Sequence, residues 1–194
     1  MTLARARVHE ICGGARRTLA LALAAEMDGP VFWIAPAWAP ERLNPTTALH
    51  FIDPGRLIFL RPKRAEDLLW TMEECLRSGT VPLVIADIPG LPRLTPVRRL
   101  HLAAETGATE GSVHPLGVLL TPGDGGAEGV ESRWHLAFAH EGDRAMGWRL
   151  ERRRARAAPP AAWSVRPGAR TPLALGGRLG AASTADNPSV TSAG

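Results

Sequence analysis

The chain has 194 residues, 45% of them hydrophobic, which is enough to bury one full-sized core and too apolar for a disordered chain. Its 23 lysines and arginines against 19 acids give a net charge of +4, and all but Lys63 are arginine, a balance that permits contact with nucleic acid without demanding it. Cys12 and Cys75 are too few for a disulfide framework or a zinc set, no run approaches the ~18 apolar residues of a membrane span, and the N-terminal M-T-L-A-R-A-R-V-H-E lacks a secretory pattern; a cytoplasmic protein without membrane contact is expected.

In chain order, V-H-E-I-C-G-G-A-R-R-T (Val8–Thr18) reads as an apolar strand running through glycines into an Ala/Leu-rich helix, Arg17–Met27. That layout aims backbone N–H groups and a helix N-terminus at phosphate. The Walker A pattern G-x-x-x-x-G-K-[ST] is not met: Arg17-Thr18 follow too soon after Gly13-Gly14, and the lysine is missing. Arg16 and Arg17 oppose the helix dipole, so they either hold an anion there or are simply solvated.

Pro30–Ile34, Leu57–Leu60, Pro82–Ala86 and Pro115–Leu120 are short apolar runs without polar alternation, as in a parallel sheet covered on both faces. Helices are predicted between most of them. Ala65–Ser78 puts Leu68, Leu69, Met72, Cys75 and Leu76 on one stripe, with Glu73, Glu74 and Arg77 turned away and Gly79 as the stop. Thr95-Pro96 reads as N-cap and first turn of a helix running to Thr106-Gly107. Trp70 is expected in the core or half-buried. Trp38, in the proline-rich A-P-A-W-A-P, either anchors a partner or folds onto the domain edge.

Beyond Leu120, Thr121–Glu131 reads as a flexible acidic loop and Arg133–His140 as a half-buried strand. Glu141-Gly142-Asp143 is a turn, Met146–Arg154 a second strand and Ala161–Val165 a third, together an antiparallel meander on the edge of the parallel sheet. A helix over Leu150–Ala158 is the alternative. Arg149, Arg152, Arg153, Arg154 and Arg156 are candidate contacts for nucleic acid or an acidic partner, or else a solvated edge strand. The six histidines show no metal spacing, and Ser132, His135 and His140 make no triad. From Arg166 the chain is Ala, Gly, Pro, Ser and Thr; residues 1–165 are taken as one domain and 166–194 as a disordered tail. The predicted class is α/β, a mostly parallel sheet flanked by helices with a C-terminal antiparallel extension.

The order E-I-C-G, Leu/Ala helix, P-V-F-W-I-A, then E-D-L-L-W-T-M-E-E-C-L-R-S-G-T-V-P-L-V-I-A-D resembles the RecA core from about Val8 to Val165. W-T-M-E-E-C-L-R-S-G and R-R-L-H-L-A-A-E-T-G-A resemble the ImuA family, RecA-like accessory proteins of SOS-induced bacterial translesion synthesis. The resemblance places Gly13–Thr18 at the phosphate loop and Asp87 at the Walker B aspartate, which is otherwise a strand-end residue that caps or turns. It finds Ala35-Pro36-Ala37-Trp38 where a catalytic glutamate belongs, and Thr121-Pro122 where a sensor glutamine belongs. It implies a protein without ATPase activity and without a required cofactor, metal or ATP–magnesium. The implied partners are an ImuB-type inactive Y-family polymerase relative, then RecA and an error-prone DNA polymerase, with nucleic-acid contact indirect or weak. RecA filaments grow through an N-terminal arm, and with about eight residues ahead of the first strand a RecA-style filament is not expected. Thr121–Glu131, at the second DNA loop, carries Asp124, Glu128 and Glu131 and would repel phosphate. Two alternatives stay open: a SulA-like division inhibitor that binds FtsZ, and a weak ATPase using Arg17 in place of lysine.

Overall fold

The computed structural model describes residues 3–139, 147–168 and 173–179. In chain order the elements are β1 (Val8–Cys12), α1 (Arg16–Ala25), β2 (Val31–Ile34), the short α2 (Pro45–Ala48), a 3-10 turn (Pro54–Arg56), β3 (Leu57–Leu60), α3 (Ala65–Arg77), β4 (Leu83–Asp87), α4 (Leu94–Glu110), β5 (Leu116–Leu120), β6 (Ser132–Phe138), β7 (Trp148–Ala155), β8 (Ala161–Arg166) and β9 (Ala174–Leu179). The strands form one sheet in the order β3-β2-β4-β5-β1-β6-β7-β8-β9. Every pairing from β3 to β6 is parallel, and β6 to β9 are antiparallel. The chain is therefore α/β, with a mostly parallel sheet and an antiparallel C-terminal extension. Among the described residues no helix is long and apolar enough to cross a membrane.

Three of the apolar runs become central strands because both faces of the sheet are covered there, while Leu57–Leu60, expected to be buried, is the outermost strand and leaves Ile58 and Phe59 exposed. On one side Ile11, Trp33, Ile85, Val118 and Leu136 pack with Leu19, Leu21 and Ala24 of α1. On the other, Val8, Ile34, Val84 and Leu119 pack with Leu68, Met72 and Leu76 of α3 and Val97 and Leu100 of α4. Each fully buried Leu, Ile or Val contributes about 1.5–3 kcal/mol. α1 ends against Arg56, whose guanidinium donates to the carbonyls of Ala24 (3.1 Å), Gly29 (2.7 Å) and Met27, filling acceptors that a helix end leaves open.

Several expectations need correction. α4 runs past Gly107 to Glu110. Gly107 is there because a Cβ would stand 2.0 Å from the Leu76 carbonyl oxygen, so it permits close helix packing and does not end the helix. The N-cap position of α4 is Arg93, not Thr95, and the free Leu94 N–H is taken by the Glu128 carboxylate at 3.2 Å. Glu73 is not turned to solvent but is 7% exposed, between Arg77 and Arg99. Trp70 is 56% exposed, outside the core. Residues 148–155 are strand, not helix, and β7 lies inside the sheet with β8 and β9 beyond it. The segment expected to be disordered from Arg166 contributes β9, which pairs with β8 and so gives its backbone partners without needing a large apolar core. The turn at Glu141-Gly142-Asp143 and residues 180–194 lie outside the described residues.

Candidate functional site

At the end of β1 the chain turns at Gly13, with φ of +93°, a conformation a side chain resists. A Cβ there would also stand 2.4 Å from the Leu136 carbonyl oxygen. The Gly13 N–H donates to the Gly123 carbonyl at 2.9 Å and the Ala15 N–H to the Leu136 carbonyl at 3.1 Å. Two donors that a phosphate loop would offer to an anion are thus already taken by backbone. Gly14 is exposed beside the Phe138 ring, and Thr18 is half-buried in the first turn of α1.

Next to this turn, between the C-terminal ends of β2 and β4, lies a shallow cleft of about 240 Å³ lined by Arg16, Arg17, Pro36, Glu41, Asp87 and Pro122 among others. Gly13, Gly14 and Thr18 do not line it. Arg17 Nε donates to Asp87 Oδ2 at 2.5 Å, and Arg17 Nη1 to Glu41 Oε2 at 2.9 Å. Arg16 Nε stands 3.6 Å from Asp87 Oδ1. Burial alone would lower the affinity of Arg17 for its proton, but Asp87 and then Glu41 outweigh burial and raise it. The two carboxylates also offset the dipole of α1, whose first turn carries no acid. Two guanidiniums against two carboxylates leave the cleft without net charge, and the Asp87 oxygens already face cations.

Glu41 was not legible as part of the site. It sits three positions past Trp38, in the loop after β2, and nothing in its neighbourhood marks it as a partner of a helix residue. Trp38 itself is 49% exposed and does not line the cleft.

The arginines of β7 are mostly occupied. Arg149 Nε bonds Glu151 at 2.6 Å; Arg153 bonds Glu151 at 3.0 Å and Asp124 at 2.9 Å. Those bonds hold Glu151 below the usual carboxylate range although its partial burial pushes the other way, and they hold Asp124 down as well. Arg152 lies 5.7 Å from the Trp134 ring centroid and 5.5 Å from that of Trp163, and donates twice to the Pro159 carbonyl. Arg156 faces Glu131 at 3.7 Å, and Arg154 is exposed. A bulge opposite Arg133 and Trp134 leaves Arg153 without a cross-strand partner between Arg152 and Arg154.

A further charged group escaped the sequence reading. Glu10, in the middle of β1 and fully buried, accepts from Thr121 Oγ1 (2.6 Å), the N–H groups of Gly126 (2.8 Å) and Ala127 (3.0 Å), and Arg133 Nε (2.5 Å). It ties the acidic loop to the sheet, so Thr121–Glu131 is packed, with Ala127 and Val130 buried, and not the flexible segment expected. The signal was present as a lone acid inside an apolar strand, which burial permits only when it is paired. Cys12 is a buried thiol whose pKa burial pushes up to about 12, and Cys75 a half-buried one pushed up to about 11, so neither is a thiolate nucleophile. Among the described residues no three His, Cys, Asp or Glu side chains are grouped to hold a metal ion. No protein-family model matches the chain, and no curated protein matches it in sequence.

Proposed function

We propose that the chain is a RecA-like adaptor without catalytic activity in SOS-induced, error-prone translesion synthesis. It binds an ImuB-type inactive relative of the Y-family polymerases and, through that assembly, RecA and an error-prone polymerase. The RecA-like part is supported by layout: a glycine turn after central β1 and an aspartate closing β4, with β5 between the two strands, both lie at the C-terminal ends of the parallel strands, where open α/β sheets bind ligands.

The observation that carries the non-catalytic part is the Arg17–Asp87 pair at 2.5 Å. Phosphoryl transfer rests on positioned charge. Here the carboxylate that would face a metal faces guanidinium, the loop donors of Gly13 and Ala15 bond backbone, and the cleft is neutral. These residues do not fit a magnesium nucleotide. Equilibrium titration with a fluorescent ATP analogue and magnesium is expected to give no saturable binding. ATPase activity lost on Asp87→Asn would overturn this part. For the adaptor part, affinity capture of the tagged chain from DNA-damaged cells is expected to bring down the ImuB-type protein. Recovery of FtsZ in its place would move the reading to a division inhibitor.

A further inference from the structure

Helices α3 and α4 run side by side over one face of the sheet. At their C-terminal ends they touch backbone to backbone: a Cβ on Gly107 would stand 2.0 Å from the Leu76 carbonyl oxygen, and one on Gly79 2.1 Å from the Gly107 carbonyl oxygen. Nearer their N-termini full side chains meet, and the space between the helices opens into a groove of about 500 Å³. Its apolar lining is Ala65, Leu69, Pro96 and Trp70, the last 56% exposed. Its wall is acidic. Glu66 and Asp67 line it with no counter-ion among the described residues, while Glu73 takes both Arg77 (2.6 Å) and the lining Arg99 (2.8 Å). The lining thus holds three carboxylates to one guanidinium, and that guanidinium is already paired.

Acids in the first turn of α3 also favour the helix dipole, which accounts for Glu66 and Asp67 but not for a bare tryptophan beside them. We propose that this groove docks a basic, apolar segment of a partner protein, with an arginine next to a leucine-like or aromatic side chain. The guanidinium lies on the face of Trp70 and bonds Glu66 or Asp67, and the apolar neighbour packs against Leu69 and Pro96. Arginine suits the site better than lysine because its planar group stacks and bonds at once. Acidic segments and nucleic-acid backbones are repelled. None of the residues lining this groove lines the Arg17–Asp87 cleft, so the proposal stands or falls independently of the RecA-like reading.

The test is selection from a random peptide library displayed on phage against the full chain, followed by titration of the enriched peptide, synthesised alone, into wild type, Trp70→Ala and Glu66→Lys. Enriched sequences are expected to pair arginine with a large apolar residue. Both variants are expected to bind the peptide at least about tenfold more weakly, the size typical of losing a groove anchor. Glu66 is exposed, so its charge reversal keeps the result readable should Trp70→Ala disturb α3. Failure to enrich any peptide, enrichment of acidic or uncharged ones, or equal affinity for the variants overturns the proposal.

Discussion

His9 and His101 are each held as one neutral tautomer. His9 Nε2 donates to the Ala4 carbonyl at 3.0 Å, and its Nδ1 accepts the Ser132 hydroxyl at 2.7 Å, while that hydroxyl accepts the Trp134 indole N–H at 2.9 Å. His101 Nε2 donates to the Gly129 carbonyl at 3.1 Å, and its Nδ1 accepts the Val8 N–H at 3.3 Å. A second proton on His101 would face the Val8 N–H, a donor, and one on His9 would force the Ser132 hydroxyl to turn its own hydrogen away. Burial lowers both pKa values below 6.5. The unfolded chain therefore takes up these protons first, so stability is complete above 6.5 and falls as pH drops through and below it. The urea midpoint is expected to decline from about pH 6.5 downward, with a shallower slope in His9→Gln; a flat profile to about pH 5 would contradict the tautomers. Arg17→Ala tests another single residue. It leaves Asp87, 6% exposed, with only Arg16 at 3.6 Å, and is expected to cost about 1–3 kcal/mol in urea unfolding without creating nucleotide binding.

Between elements, the acidic loop depends on one carboxylate. Glu10→Gln removes the charge of a fully buried carboxylate from its pair with the partly exposed Arg133, which is expected to cost about 2–4 kcal/mol and to speed amide exchange across residues 121–131 before the rest of the sheet. Unchanged exchange in that segment would mean that Ala127 and Val130 hold the loop unaided. Gly107→Ala would force α3 and α4 apart and is expected to lower stability by at least about 1–3 kcal/mol, read as a drop in Tm. These two residues also mark where sequence reading stops. Val31–Ile34, Leu83–Asp87 and Leu116–Leu120 were legible because a strand covered on both faces must be apolar throughout, which is a local property; Leu57–Leu60 is just as apolar, yet it is the outermost strand and leaves Ile58 and Phe59 exposed. Gly107 looked like a helix end because the backbone it touches belongs to α3. Arg17 looked like a weak lysine substitute because its partners stand 70 and 24 residues away. Glycine and charge take their meaning from contacts that only the folded chain brings together.

For the molecule as a whole, one continuous sheet carries both apolar clusters, and the strands from β1 to β5 serve both sides. Heating is expected to give one cooperative transition, with calorimetric and van't Hoff enthalpies in agreement. A separate early transition would show that β6–β9 melts apart from the parallel strands. β9 was the element least visible in the sequence, because an outer strand needs partners for its backbone more than it needs large apolar side chains. The two sides of the sheet also differ optically. Trp33, Trp134, Trp148 and Trp163 all belong to the α1 side, and the cluster beneath α3 and α4 contains no tryptophan. With no tyrosine in the chain, near-ultraviolet circular dichroism records the packing of one half of the protein, including the Trp134–Trp163 stack at 5.9 Å. On the other half the α3 surface carries a single indole, Trp70, so a ligand seated between α3 and α4 would move one emitter against a constant background.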